Sequence, residues 1–185
     1  MKSENMNPMA DAPAASRGFT LIELMVTLAI AAVLLTVAVP NFITFIQNNR
    51  LASQANDLVS MLNYARSEAI KRGVRITVCG RASNTACTGT INWDTGLLVF
   101  IDNDGDGTVG AGETILQVRP GLEGGNTLTA GASTRITYQS SGFRSDPGGN
   151  DIFSLCDTRG AASGRSITVN PQGRATTTLG AAACP

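Results

Sequence analysis

Histidine is absent from this 185-residue chain, which removes the commonest general base, the Ser/His and Cys/His nucleophile pairs and most zinc sites. Serines and carboxylates remain, and nothing among them assembles into a nucleophile and its base, so no enzymatic activity is expected. Charge is also scarce. Charged residues make up 15% of the chain, and 14 Lys plus Arg balance 14 Asp plus Glu, so no global excess draws the protein to nucleic acid or to acidic surfaces. Cysteine is missing from the first 78 residues; Cys79, Cys87, Cys156 and Cys184 all follow. Their spacing fits no two-pair zinc pattern, which leaves disulfides formed outside the cytoplasm. The length allows one compact domain plus a membrane element, not two large domains.

What the chain does have is one long apolar run. Residues 19–39 are interrupted only by Glu23, Thr27 and Thr36, close to the roughly 20 residues that a helix needs to cross a bilayer. A secretory signal peptide places its positive residues just before a shorter apolar core and its small-residue cleavage site after it. Here the order differs: a polar stretch with Lys2, Glu4, Asp11 and Arg17 ends in the small residue Gly18, ahead of the apolar run. Cleavage at that point leaves the whole helix attached. The string Arg17-Gly18-Phe19-Thr20-Leu21-Ile22-Glu23-Leu24 closely resembles the cleavage motif of type IV prepilins and type II secretion pseudopilins. The resemblance implies a leader of residues 1–18, removed by a prepilin peptidase between Gly18 and Phe19, and N-methylation of the new amine on Phe19. Glycine suits a bond that a protease must approach closely. Arg17 fits the positive-inside rule, which keeps the leader cytoplasmic and sends the remainder outward.

Glu23 is the anomaly in this helix, since a carboxylate in the hydrocarbon region costs about 2.5–3.5 kcal/mol without a partner. The resemblance implies that it pairs with the N-terminal amine of a neighbouring subunit; the bland alternative is a side chain snorkelling to the interface. Pro40 is expected to kink or locally melt the helix. Beyond it, residues 40–73 read as an amphipathic continuation, because Leu51, Ala55, Leu58, Leu62, Ala65 and Ala69 recur at spacings of four and three. Lys71 and Arg72 followed by Gly73 make a helix C-terminus.

Residues 74–185 are expected to form a β-rich head. Alternating or β-branched runs at 74–79, 96–101, 114–119, 135–139, 152–156, 165–170 and 174–179 are separated by Gly, Asn, Asp and Ser clusters, which predicts mainly antiparallel sheet. One long helix followed by strands resembles the family of FimT-, FimU- and GspH-like minor pilins and pseudopilins. More particular carriers of the likeness are Tyr64-Ala65-Arg66-Ser67-Glu68-Ala69, Trp93-Asp94-Thr95-Gly96-Leu97-Leu98-Val99-Phe100 and Pro171-Gln172-Gly173-Arg174. The fold class is thus α+β, type IV pilin-like, with the long helix packed on the sheet. Cys79 and Cys87 flank a Ser/Asn/Thr loop and Cys156 and Cys184 bracket the last two strands, so the cysteines are paired as neighbours, one of three possible pairings.

Asp102-Asn103-Asp104-Gly105-Asp106-Gly107, followed by Glu113, matches the EF-hand loop, with oxygen ligands at positions one, three, five and twelve and glycine at six. Strand-like flanks and the turn preference of Asp, Asn and Gly support a plain hairpin turn instead. Calcium, held by Asp102, Asp104, Asp106 and Glu113, is the one cofactor that the sequence raises; otherwise none is expected.

The resemblance implies a minor pilin anchored once in the inner membrane of a Gram-negative bacterium, its head in the periplasm before it enters a pilus, with other major and minor pilins as partners. It would sit at or near the tip or in the priming complex and support assembly. Two alternatives remain. A secretion pseudopilin shares every N-terminal feature. A DNA receptor for transformation is the other, because some FimT-like proteins bind DNA through a C-terminal Gly-Arg-x-Arg motif; this chain has Gly173-Arg174-Ala175-Thr176, with threonine for the second arginine. Arg144, Arg159, Arg165 and Arg174 are the candidates to gather on one edge and meet double-stranded DNA. From Gly73 onward eight arginines face nine acids, so binding would rest on a local, salt-sensitive patch.

Overall fold

The computed structural model describes residues 18–145 and 148–184. They fall into two compact units, residues 1–43 and 44–185. Helix α1 (Leu21–Arg72) begins in the first and ends in the second. In the first unit the side chains of α1 are exposed throughout, the aliphatic ones included. Its most apolar window has a mean hydropathy of 2.5, long and apolar enough to cross a membrane. The two threonines inside it spend their hydroxyls on the helix itself, Thr27 on the Leu24 carbonyl at 2.9 Å and Thr36 on Val33 at 2.7 Å. Neither therefore brings an unsatisfied donor into an apolar medium. The expected melting at Pro40 does not occur, for α1 runs through that proline without interruption. Asn41 adds a side-chain bond to the Val37 carbonyl at 2.9 Å beside it.

In the second unit α1 buries Leu51, Ala55, Leu58, Met61, Leu62, Ala65 and Ala69, the face foreseen from the spacing plus Met61. Gly73, at φ 71°, ends the helix by donating to the Ala69 carbonyl at 2.9 Å. A left-handed residue is needed there, and glycine takes that conformation without steric penalty. Glu68 lies under the last turn between Lys71 and Arg72, and the Arg72 hydrogen bond holds its carboxyl below the ordinary value.

Among the described residues nine strands follow: β1 (Ile76–Ser83), β2 (Ala86–Cys87), β3 (Leu97–Ile101), β4 (Ile115–Arg119), β5 (Thr127–Ala130), β6 (Arg135–Tyr138), β7 (Asp151–Cys156), β8 (Arg165–Val169) and β9 (Ala175–Leu179). They build two antiparallel sheets. In the first, β1 pairs with β3 on one side and with β6 and β2 on the other, and β4 adds to β3. The second runs β5-β7-β8-β9. Ile76, Val78, Leu97 and Val99 turn one face of the first sheet to the helical core, which also takes Leu128, Phe153, Leu155, Ile167 and Val169 from the second sheet. Its other face is buried too, where Cys79, Leu98 and Phe100 pack with Val109, Ile115 and Val118. That two-sided burial explains the unbroken apolar run of β3, because a strand covered on both faces has no reason to alternate.

Cys79 is bonded to Cys87 and Cys156 to Cys184. The first bond ties β1 to β2 and the second ties residue 184 to the end of β7. Trp93, fully buried, sets its ring edge-on to Phe153 at 4.8 Å, so the Trp93–Phe100 stretch supplies a core anchor, a turn and then β3.

Candidate functional site

The processing segment is built from the helix start. Gly18 and Phe19 are exposed, Phe19 by 86%; the rest of the expected leader, with Lys2, Glu4, Asp11 and Arg17, lies outside the described residues. Thr20 caps α1, its hydroxyl accepting the Glu23 N–H at 3.2 Å while its carbonyl accepts that of Leu24 at 3.2 Å. Thr20 and Glu23 thus hold the two polar positions of a Thr-x-x-Glu capping pattern, a signal present in the sequence that the motif reading passed over. A carboxylate in the first turn gains about 0.3–1 kcal/mol from the helix dipole. That is less than the 2.5–3.5 kcal/mol of about one buried carboxylate. The dipole thus offsets only part of that cost, and between Gly18 and Asn49 the chain has no Lys or Arg to offset the rest.

The four candidate arginines do not gather. The β8–β9 hairpin forms, but its register places Arg165 opposite Leu179 and Val169 opposite Ala175, with Asn170 bonded to Arg174 at the turn. Arg165 and Arg174 therefore stand at opposite ends of the hairpin, on the order of 16 Å apart along the strand at about 3.3 Å per residue. Arg144 is buried at the turn end, paired with the Asp151 carboxylate and donating to the Gly149 and Val169 carbonyls at 3.1 and 3.2 Å. Arg159 sits at the other end, bonded to Asp157 at 2.6 and 2.9 Å, and Arg165 donates to the Ser163 and Gly164 carbonyls. Burial raises the Asp157 pKa, but the bonds from Arg159 and the charge of Arg165 outweigh it and hold the carboxyl below its ordinary value. Of the four, Arg174 alone is exposed and, among the described residues, has its side chain in no hydrogen bond or ion pair. The expected common edge is corrected to two separated pairs, one member of which is sealed in the core.

Gly173 shows why the Pro171–Arg174 tail has its composition. At φ 79°, a Cβ there would come within 2.8 Å of the buried Tyr138 ring. Burial also pushes the Tyr138 hydroxyl well above the ordinary phenol value, against the opposing pull of Arg144 and then Arg66.

In the Asp/Gly loop, carboxylate oxygens of Asp102, Asp104 and Asp106 lie within 4.8 Å of one another. Glu113 faces elsewhere: its two oxygens accept the N–H groups of Asn103 at 2.7 Å and Gly110 at 2.9 Å. Asp102 is fully buried, accepting from Thr77 Oγ1 and from the Gly105 N–H, both at 2.7 Å. Asp106 accepts the Thr108 N–H at 2.7 Å and its hydroxyl at 2.9 Å; these bonds, aided by the charge of Arg135, hold its carboxyl low. Arg75 donates to the Asn103 carbonyl at 3.2 Å. The three aspartates are oxygen donors of the kind calcium takes, while the twelfth-position glutamate is occupied as a brace within the β3–β4 connection.

A methylation-type N-terminus, one apolar helix and a head of antiparallel sheets packed on the helix define a type IV pilin-like subunit. The profile described as "Prokaryotic N-terminal methylation motif" matches residues 13–39, and that described as "Type II transport protein GspH" matches residues 54–173. The chain belongs to the GspH family. Among solved structures it is similar to the type IV minor pilin FimU of Pseudomonas aeruginosa, with 23% identity and a TM-score of 0.61 over 76% of this chain and 99% of that one. A second crystal form of FimU matches at 22% identity and a TM-score of 0.59, covering 73% and 100%. At that identity the likeness is one of fold. Family membership implies processing by a prepilin peptidase and assembly with other pilins.

Proposed function

We propose that the chain is a minor pilin that waits in the inner membrane with its head in the periplasm, and that it enters a pilus at or near the tip, where it helps to start assembly. The leader is cut between Gly18 and Phe19, the Phe19 amine is methylated, and Glu23 pairs with the Phe19 amine of a neighbouring subunit. The observation that carries this reading is the lone carboxylate of Glu23 in the first turn of a segment whose side chains are exposed and which lacks any cation of its own. A pairing between subunits neutralises both charges at once, which favours a filament over an isolated span.

The test is complementation. In a strain lacking the gene, the wild type is expected to restore surface filaments, and Glu23→Val is expected to be processed, as N-terminal mass spectrometry would report, yet fail to restore them. Filaments at wild-type level with Glu23→Val would sink the reading. Loss of protein secretion with filaments intact would instead make the chain a secretion pseudopilin. The DNA-receptor reading gains nothing from the arginine placement. A gel-shift salt titration with double-stranded DNA, beside a variant carrying Arg165→Ala and Arg174→Ala, is expected to show no arginine-dependent shift.

A further inference from the structure

An edge strand offers a row of unpaired N–H and C=O groups to any other extended chain, and folded proteins blunt such edges. The head does so at most of its own. β2 is two residues long. β4 carries Arg119 and shifts register against β3 between Val99 and Phe100. The outer edge of β5 is covered by residues 91–93: Trp93 donates to the Leu128 carbonyl and Ala130 to that of Ile91, both at 2.8 Å, and Asn92 bridges to Thr129. That of β6 is covered by residues 143–145, with Ser145 donating to the Thr137 carbonyl and Gln139 to that of Phe143, both at 2.8 Å. β9 has none of these devices. Its residues, Ala175-Thr176-Thr177-Thr178-Leu179, include no charge and no proline, and they pair with β8 in an unbroken register. From Thr176 onward they are exposed, Leu179 by 80%.

The ladder also fixes which way the peptide groups of β9 point. Asn170 donates to the Arg174 carbonyl and Gly180 to that of Gly164, both at 3.0 Å. In an antiparallel pair bonded and non-bonded positions alternate, so Thr168 with Thr176 and Ser166 with Thr178 are the bonded pairs in between. The peptide groups of Ala175, Thr177 and Leu179 therefore point away from β8, and nothing among the described residues bonds to them.

We propose that β9 is a strand-addition site, which takes an extended segment of another polypeptide antiparallel to itself, β-branched along its length and with a carboxylate at the end that meets Arg174. In such a contact main-chain bonds supply the affinity and side chains the register. Thr176 and Thr178 favour β-branched neighbours across the strand, and Leu179 favours an apolar one. Arg174 is exposed, with its side chain in no bond among the described residues, and β9 offers it no acid, so an acid on the incoming strand is its complement. A second copy of this chain fits less well. Its other edges are blunted as described, which leaves its own β9, and two such strands pair about a two-fold axis through the sheet. That operation reverses the helix packed along the sheet's core face, whereas neighbours in one membrane run the same way. The proposal goes beyond the assembly reading and does not depend on how Glu23 pairs.

The test uses the full chain in detergent and a dye-labelled synthetic peptide, Ser-Val-Thr-Val-Thr-Leu-Glu, whose antiparallel register sets its first valine on Leu179 and its glutamate on Arg174. Fluorescence anisotropy is expected to show saturable binding below about 100 μM of chain. N-methylation of the two valines, whose N–H groups face β9, should weaken binding roughly tenfold, since each lost bond is worth about two- to tenfold. N-methylation of the two threonines, whose N–H groups face away, should leave it unchanged. Thr177→Pro removes an outward N–H that β8 does not use and a proline is tolerated on such an edge; it should abolish binding with the Trp93 fluorescence melt unchanged, while Thr177→Val binds as the wild type does. Arg174→Glu should weaken binding and a peptide ending in lysine restore it. No saturation, equal loss from both N-methylated peptides, or binding kept in Thr177→Pro overturns the proposal. So does a dimer of the chain that Thr177→Pro dissolves, which would give the edge to a second copy.

Discussion

Arg144→Met tests whether this arginine is a structural group or a surface cation. Its side chain is 2% exposed and that of its partner Asp151 is 11% exposed. It links the end of β7 to two carbonyls, Gly149 and Val169, near the β8–β9 turn. Methionine fills much of the volume but leaves the Asp151 carboxylate buried with, among the described residues, only Ser133 bonded to it. Removing one member of a buried pair costs about 3–5 kcal/mol, a large part of the roughly 5–15 kcal/mol that holds a domain together. At about 3 °C per kcal/mol for a domain of this size, the melting temperature should fall by about 10–15 °C. The assay is thermal unfolding followed by the fluorescence of Trp93, the single tryptophan, which sits fully buried in the head. Adding Asp151→Leu removes the stranded charge and is expected to recover part of the loss. A fall of less than about 3 °C, or a double variant no better than the sum of the singles, would refute the reasoning.

Three further outcomes are expected. Replacing Cys156 and Cys184 by alanine, which opens a separation of 28 residues, should cost about 3–4 kcal/mol in the loop-entropy account, against about 2–3 kcal/mol for the Cys79 and Cys87 pair with a separation of 8; equal losses by denaturant titration would contradict that ordering. The carboxyls of Glu68, Asp106 and Asp157 are held low in the folded state, so their contribution is present above the ordinary carboxylate range near about 4 and is lost as pH falls through the depressed values. The melting temperature should therefore drop on acidification below about pH 4, less steeply in Asp157→Asn, and a flat acid limb would be the contrary result. Glu113→Gln should cost about 1.5–3 kcal/mol by weakening two charge-assisted bonds to Asn103 and Gly110, with chelator leaving the wild type unchanged. A rise in melting temperature with calcium that disappears in Asp104→Asn would instead mark the aspartate trio as a cation site.

The helix and most strands were legible because their signals are local. The spacing of Leu51, Ala55 and Leu58 and the alternation along β6 and β8 reflect burial on one face. β5 was missed: four residues, Thr127–Ala130, between glycine-rich turns carry too short an alternation to stand out. The expected local melting at Pro40 did not follow, since the helix that flanks it on both sides carries the loss of one N–H. The arginine edge failed on register. Sequence shows that Arg165 and Arg174 fall on neighbouring strands but not which residues face each other, and the Arg144–Asp151 pair closes between the β6–β7 connection and the start of β7. At the N-terminus the bond expected to be cut joins two exposed residues, Gly18 and Phe19, so a linear motif carries that reading; the Thr20 cap was equally readable from Thr-x-x-Glu.

β5 belongs to the second sheet although its chain neighbours β4 and β6 both belong to the first. The polypeptide thus changes layer three times between Arg119 and Asp151, and neither sheet is a contiguous piece of sequence. No truncation or internal deletion within that stretch can yield one finished layer, and a protease nick there leaves two fragments that still hold each other. Pairings such as β1 with β6 join residues about sixty positions apart, which places folding of the head on the slow, non-local side of small domains. The weave makes the head a single cooperative piece: a subunit levered out of a filament by its helix would keep both sheets or lose both together.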